Sequence, residues 1–346
     1  MGYLEQAHSR NWLTNFGPLH EELTARLQDY LGVSNLLLVA NGTLALQVAY
    51  RALEVAGPAF TTPFSFIATT ATLTWEGIAP VFVDIDSETL NLDPRALASS
   101  TERAGAVVAV HVYGNPCDVE AIEAFGAARS IPVIYDAAHA FGSTYNGQSS
   151  LVWGDAATLS FHATKIFHTI EGGAIIFRNP RHLERARELV NFGFTSDATT
   201  KGLGTNAKLS EYHAAAGLVL LDGIDEVLAR RIELVEAYRR CLEGWVQFQQ
   251  WNAQGRNNGA YMPILLDNEE ECLSLHHALA QEGIGTRRYF YPSLNTVNTS
   301  TGACSCPVSE RSASRVLCLP LYAELAIEDM LWICERVKAH LCQVRR

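Results

Sequence analysis

Six short apolar runs, LLLVA (36–40), PVFVDI (80–85), AVVAVH (106–111), PVIYDAA (132–138), AATLSF (156–161) and GAIIF (173–177), constrain this chain more than any other feature. Each is strand length, apolar throughout rather than alternating, and separated from the next by helical patterns. That is how a parallel sheet reads when helices cover both of its faces. Between the runs, HEELTARLQDYLG, TLALQVAYRALEVAG and CDVEAIEAFGAARS carry helical periodicity, and the first two end at a glycine placed for a C-cap. An α/β domain over residues 1–240 is expected. The stretch 209–244 reads as one long helix, after which the pattern changes to strand (YMPILL), helix (EEECLSLHHALAQEG) and a last helix (IEDMLWICERVKAHL). A smaller α+β domain over 241–346 follows. The polar segment NTVNTSTGACSCP (295–307) reads as a mobile loop.

At 346 residues and 48% hydrophobic content the chain can bury a sizeable core. Its net charge of −11 comes without a basic block that would track phosphate backbones, which argues against nucleic acid. The opening MGYLEQAHSRNW has neither the basic nor the apolar region of a signal peptide, and no apolar run approaches the roughly 18 to 20 residues of a membrane helix. A soluble cytoplasmic protein without membrane contact is the expectation. The eight cysteines are scattered, with Cys304 and Cys306 the one close pair, so free thiols and no metal site are expected.

Common catalytic signatures for phosphate loops, zinc hydrolases and serine hydrolases are missing. A G-x-G-x-x-A does occur at Gly202, Gly204 and Ala207, but it follows the polar TSDATTK rather than an apolar strand, so nicotinamide binding is rejected. Two stretches carry more. In PVIYDAAHAFG, Asp136 sits at the exit of an apolar strand, where ligands meet open α/β sheets. Alone it reads as a turn or helix-cap aspartate, and His139 alone as a core histidine. In SFHATKIFHTIEGG, Lys165 stands among Ser, Thr, His, Phe and Gly just after an apolar run. A lysine and an acid together are what pyridoxal phosphate chemistry needs: an amine to bond the cofactor aldehyde and a carboxylate to keep the pyridine nitrogen protonated. Burial beside a cationic ring would lower the amine's pKa and make it a nucleophile. For the cofactor's phosphate, ANGTLALQVAY offers the N–H groups of Gly42 and Thr43 at a helix start, or an ordinary cap, and Ser160 offers a hydroxyl. Phe66 in TTPFSFIATTAT is either a ring-stacking aromatic or core.

These motifs, in this order, resemble the sugar aminotransferases named for DegT, DnrJ, EryC and StrS. The likeness runs through NGTLAL, TTPFSFIATTATLTWEGIAPVFVDID, VVAVHVYGNPCDVEAI, IPVIYDAAHAFGSTYNG, GDAATLSFHATKIFHTIEGGAI and GTNAKLSEYHAAAGL. The resemblance implies a fold-type I pyridoxal-phosphate transferase with a mainly parallel seven-stranded sheet, helices on both faces and a small C-terminal α+β domain. It implies Lys165 as the Schiff-base lysine, Asp136 as the partner of the pyridine nitrogen and His139 beside the ring. Gly42, Thr43 and Ser160 would hold the phosphate, and Phe66 would cover the ring. Asn206 would enter the neighbouring subunit's phosphate site, hence a homodimer with shared active sites. L-Glutamate would be the amino donor and a nucleotide-linked keto sugar the acceptor.

RRYFYPSLN (287–295) and CPVSERSASRVLCLPLYAEL (306–325) resemble the members that aminate C4 of dTDP-4-keto-6-deoxy-D-glucose. The 3-keto-sugar aminotransferases, which share SFHATK, are the alternative. Candidates for the substrate side are His162, Lys208, Arg287 and Arg288, although exposed arginines on a solvated face are the more ordinary reading. Three departures stand out: NGT for the commoner SGT, so that Asn41 or water must replace a serine hydroxyl; NAKLSE for NYRMSE, leaving Lys208 where an arginine often stands; and a short link EVAGPAFTTP, expected to alter a surface turn. Related dehydratases carry His in place of the lysine, so Lys165 argues against them. A non-enzymatic regulator on the same scaffold is the remaining alternative.

Overall fold

A computed structural model describes residues 2–195, 197, 199–200, 202–297 and 304–346. Its centre is a seven-stranded sheet in the order Leu36–Val39, Gly173–Phe177, Ala156–Ser160, Val133–Asp136, Ala106–Val110, Ala59–Thr61, Pro80–Phe82. Six strands run one way. Gly173–Phe177 runs against them, paired antiparallel with both of its neighbours. The short strand Ala59–Thr61 was not among the six apolar runs, because three residues flanked by Gly-Pro and Thr-Pro give too little pattern to read.

Successive strand residues point to opposite faces, and the core divides accordingly. Leu36, Leu38, Val133 and Tyr135 pack with Leu19, Leu23, Ile122 and Leu218 on one face. Leu37, Val39, Ile134 and Ile175 pack with Ala45, Ala49, Leu73 and Ala186 on the other. Pro18–Leu31, Val119–Arg129 and Glu211–Leu221 therefore cover one side, and Gly42–Ala52, Ile67–Trp75 and Pro180–Leu189 cover the other. Burial on both faces is why these strands read as continuous apolar runs.

Pro18–Leu31 ends at Gly32 in the left-handed conformation, as its sequence signalled. Gly42–Ala52 stops five residues short of Gly57: the chain turns at Leu53 and Glu54, and Gly57 takes a positive φ in the exposed turn leading to Ala59–Thr61. The stretch 209–244 is two helices rather than one, Glu211–Leu221 and Ile224–Leu242, interrupted at Asp222 and Gly223. Ile224 joins the sheet core, whereas Leu234, Tyr238 and Leu242 join a separate cluster with Leu275, Leu317 and Val337. That cluster lies under an antiparallel three-stranded sheet, Gln247–Phe248, Met262–Leu265 and Val316–Leu319, with Glu269–Gln281 and Ile327–Val344 against it.

Within the polar segment 295–307, residues 298–303 lie outside the described residues. Its described flanks are tied down, since the Asn295 amide donates to the Cys304 carbonyl at 2.8 Å and to Glu310 at 2.6 Å. The eight cysteines are free thiols. Among the described residues no helix is long and apolar enough to cross a membrane, and no cluster of side chains is arranged to hold a metal.

Candidate active site

The carboxyl ends of the parallel strands share one edge of the sheet, and the reversed strand Gly173–Phe177 begins at that edge. The link between Ala156–Ser160 and Gly173–Phe177 is thus forced to fold back over it. Phe161 N–H donates to Gly172 O at 2.8 Å, Ala163 N–H to Ile170 O at 2.8 Å and Lys165 N–H to His162 O at 2.9 Å, closing a compact loop. Phe161 and Phe167 anchor this loop, buried against each other and against Phe141, whose ring stacks on Phe167 at 4.8 Å. Losing such an anchor costs about 3–5 kcal/mol, so Lys165 rides on a rigid support.

A cavity of about 260 Å³ opens where the loop meets the strand ends. Asp136, the last residue of Val133–Asp136, lies at its floor and is 6% exposed. One carboxylate oxygen accepts the Thr69 hydroxyl at 2.7 Å and the other the Ala138 N–H at 3.1 Å. Thr69 is in turn bonded to the Ser65 hydroxyl at 2.7 Å. Burial raises the Asp136 pKa, and the two donors and Lys165 pull it back. Lys165, half-buried, has its ammonium pKa lowered to about 8 by desolvation, against a smaller opposing pull from Asp136. At pH 7 about one amine in ten is then neutral, against roughly one in three thousand for an unperturbed lysine. His139 is buried, its pKa lowered well below the ordinary value by desolvation, and its Nδ1 has no partner among the described residues.

Gly42, Thr43, Ser160, Phe66 and His162 line the same cavity. Gly42 begins the helix Gly42–Ala52, and a Cβ there would meet Ser160 Cβ at 2.8 Å, so the backbone N–H groups and the serine hydroxyl come together only because residue 42 is glycine. Gly173 answers it from the other side: a Cβ would strike the main chain of Asn41 and Gly42 at 2.7–2.8 Å. Asn41 spends its side-chain oxygen capping the helix through Leu44 N–H at 2.8 Å, which leaves its amide nitrogen as the donor it can offer in place of the serine hydroxyl. Phe66 is 53% exposed although it lines a cavity, an apolar face open to a ligand. His162 bonds Thr164 at 2.9 Å and lies 3.6 Å from Glu171.

Asn206, Lys208, Arg287 and Arg288 are not brought to this cavity. Asn206 is exposed and bridges to Asn191. Lys208 donates to Asn191 at 2.9 Å and sits over the Phe192 ring. Arg287 is exposed, with its backbone paired to Cys318. Arg288 is drawn inward to Glu269 at 2.9 Å and the Ser314 carbonyl at 2.8 Å, its guanidinium 3.5 Å from the centre of the Tyr291 ring. Both of these hydrogen bonds come from Arg288 Nη2 and lie within the C-terminal unit, whereas its buried Nε has no partner among the described residues. Sequence reasoning missed Thr69, Tyr261, Tyr289 and Phe290. Thr69 stands three residues beyond Phe66 in a motif already singled out, one helical turn that places it beneath Asp136.

The features fit pyridoxal phosphate. A buried carboxylate with only two hydrogen-bond donors suits a protonated ring nitrogen, an unpartnered buried imidazole nitrogen awaits a polar atom, and the Gly42–Ser160 cradle suits a phosphate. This fold, with a lysine poised over a buried carboxylate at the strand ends, is that of a fold-type I pyridoxal-phosphate transferase. The chain belongs to the DegT/DnrJ/EryC1/StrS aminotransferase family, whose sequence model matches residues 1–338. It is 39% identical over 344 residues to a dTDP-4-amino-4,6-dideoxy-D-glucose transaminase of Shigella dysenteriae, covering 97% of this chain and 94% of that one. Its identity to the enzyme of the same name in Escherichia coli is 36% over 346 residues, with coverage of 96% and 93%. The crystal structure of DesI in the presence of its TDP-sugar product superposes with a TM-score of 0.93 at 34% identity, covering 99% of this chain and 90% of that one. The protein is accordingly a pyridoxal-phosphate-dependent aminotransferase.

Proposed function

We propose that the protein moves the amino group of L-glutamate to C4 of dTDP-4-dehydro-6-deoxy-D-glucose, giving dTDP-4-amino-4,6-dideoxy-D-glucose and 2-oxoglutarate. The observation that carries this reading is identity of 36–39% over nearly the whole chain to two transaminases named for that product. A second reading, amination at C3, is favoured by the 33% identity over 325 residues to the UDP-2-acetamido-2-deoxy-3-oxo-D-glucuronate aminotransferase of Pseudomonas aeruginosa.

Bound pyridoxal phosphate supplies the electron sink for both half-reactions. Lys165 holds the cofactor through its amine and, once released, takes the proton from the donor's α-carbon and later returns one to the sugar carbon. Its pKa of about 8 suits both directions near neutral pH. Asp136 would pair with the ring nitrogen, its carboxylate supported by the Thr69 hydroxyl and the Ala138 N–H against the upward pull of burial on its pKa. Gly42, Thr43 and Ser160 would hold the phosphate, with Phe66 covering the ring and His139 beside it. His162, which lines the cavity, would meet the sugar.

In a homodimer, Asn206 would enter the partner subunit's phosphate site, and Lys208 remains a candidate for the substrate side. Phe192, Phe194 and Leu203, all exposed and the last 89% so, supply the apolar surface such a contact would cover. We divide the chain into a large domain, 1–240, and a small one, 241–346; the helix Ile224–Leu242 serves both cores, with Ile224 in the sheet core and Leu234, Tyr238 and Leu242 in the other. A cytoplasmic location accords with a soluble nucleotide-sugar substrate.

The test is to incubate enzyme, pyridoxal phosphate and L-glutamate with dTDP-4-dehydro-6-deoxy-D-glucose and locate the nitrogen-bearing carbon by NMR. An amine at C4 is expected. No product here, with an amine at C3 from the 3-keto isomer, would replace the first reading by the second.

A further inference from the structure

The C-terminal unit sends one polar atom to the reacting lysine. Tyr261 stands immediately before the strand Met262–Leu265, and its hydroxyl lies 3.3 Å from Lys165 Nζ, the hydrogen-bond partner of that amine among the described residues. Its ring meets His139 edge-on at 4.7 Å and Tyr113 at 5.6 Å. The backbone leading to it is held with unusual care. Arg231, 9% exposed, gives its guanidinium to two carbonyls, Gly259 O at 2.8 Å and Ala260 O at 2.9 Å. A buried arginine spent on two backbone carbonyls carries a large desolvation cost, which makes sense when the segment it fixes must not move. Gly259 takes φ +67, and a Cβ there would meet the Arg231 main chain at about 3 Å, so the clamp closes only over glycine. On the other side the Asn258 amide donates to His139 O at 2.7 Å and Phe141 O at 3.0 Å, tying the segment to the very loop that carries His139.

We propose that Tyr261 is a positioning residue for the transamination: its hydroxyl fixes the free Lys165 amine over the reacting carbon between proton transfers, and Arg231 and Asn258 fix Tyr261. The proposal rests on reading Lys165 as the cofactor lysine. Burial raises the phenol's pKa, so the group stays a neutral hydroxyl. It can accept from the ammonium and donate to the neutral amine, and so keeps its hold in both protonation states. The other titratable groups facing Lys165 are Asp136, His139 and Tyr289 from neighbouring elements and His162 and Glu171 on its own loop. Asp136 is the one whose charge acts appreciably on the amine.

The experiment uses the full-length chain freed of cofactor. Amines are labelled competitively with acetic anhydride across about pH 6 to 10, and the peptide carrying Lys165 is quantified by mass spectrometry to give its titration midpoint. Tyr261→Phe keeps the ring on His139 and removes only the hydroxyl. The ammonium then loses a charge-assisted hydrogen bond, so the midpoint falls by roughly one unit from its starting value near 8. In the holoenzyme kcat falls roughly tenfold while KM for glutamate stays within about twofold. Tyr113→Phe, in the same aromatic group but without contact to the amine, leaves the midpoint in place. An unmoved midpoint in Tyr261→Phe overturns the proposal. Borohydride reduction of the wild-type holoenzyme separates this from the reading beneath it: if the cofactor is fixed to Lys165 yet the midpoint does not move, only Tyr261 fails, and if it is fixed elsewhere, the assignment of Lys165 fails first.

Discussion

The strand-end loops of the large sheet and the C-terminal unit face each other across one cavity, and they contribute to it in different currencies. The sheet side supplies charge and backbone dipoles: Asp136, Lys165 and the helix start at Gly42. The C-terminal side supplies aromatic surface, Tyr261, Tyr289 and Phe290, with one hydroxyl aimed at Lys165. On the reading proposed above, the chemistry that recurs in every turnover would be set in the part whose geometry is fixed by seven strands. Contact with the acceptor would fall to the three aromatic residues, which pack with Phe64, Val110 and Tyr113 of the sheet side. The comparison teaches where each kind of mutation should be felt: in rate on the sheet side, in positioning or stability on the C-terminal side.

The hardest way to break this division is to remove the amine. Lys165→Ala should abolish turnover, by roughly four orders of magnitude or more, because both the bond to the cofactor and the proton carrier are lost. Circular dichroism and the thermal midpoint should stay near wild type, since Phe161 and Phe167 rather than Lys165 hold the loop. Residual turnover within about tenfold of wild type would move the chemistry elsewhere. Next in size is Asp136→Ala, which removes the buried negative charge. The loss expected is roughly 10²- to 10³-fold in kcat, with cofactor still bound through the Gly42–Ser160 cradle, as absorbance and equilibrium dialysis would report. Near-normal kcat with bound cofactor would show that the carboxylate is a cap and no more.

The same division explains what the sequence made legible. Strand ends follow from apolar runs, so Asp136 and Ser160 can be placed at one edge without coordinates, and Lys165 follows from the loop after AATLSF. The reversed direction of Gly173–Phe177 had no signal in its composition, since a strand buried on both faces reads alike in either direction. Tyr261 was hidden for another reason. It reaches Lys165 from 96 residues away through a segment, NNGAY, whose meaning lies in the carbonyls it offers Arg231. Neither period nor local motif records a backbone clamp of that kind. The end of Gly42–Ala52 was misjudged because ALEVAG keeps helical composition past the point where the chain must turn for Ala59–Thr61.

The smallest effect sharpens the comparison most, because it asks whether a cation on the C-terminal side does anything but hold its own unit together. Arg288 was a candidate for the substrate side, yet its guanidinium donates to Glu269 and the Ser314 carbonyl and sits 3.5 Å from the centre of the Tyr291 ring. Its side chain is 14% exposed, so the ion pair is partly shielded from water and its loss leaves Glu269 and a carbonyl without their donor. Arg288→Met keeps much of the stem's packing and removes the charge. We expect a loss of about 1–3 kcal/mol in denaturant unfolding and a KM for the nucleotide sugar within about twofold of wild type. Lysine at the same position should recover only part of the stability, because its compact ammonium cannot reproduce the close contact of the guanidinium with the Tyr291 ring. A KM raised tenfold or more with unfolding unchanged would instead put Arg288 on the substrate, and would mean that the C-terminal unit contributes charge as well as surface to the cavity.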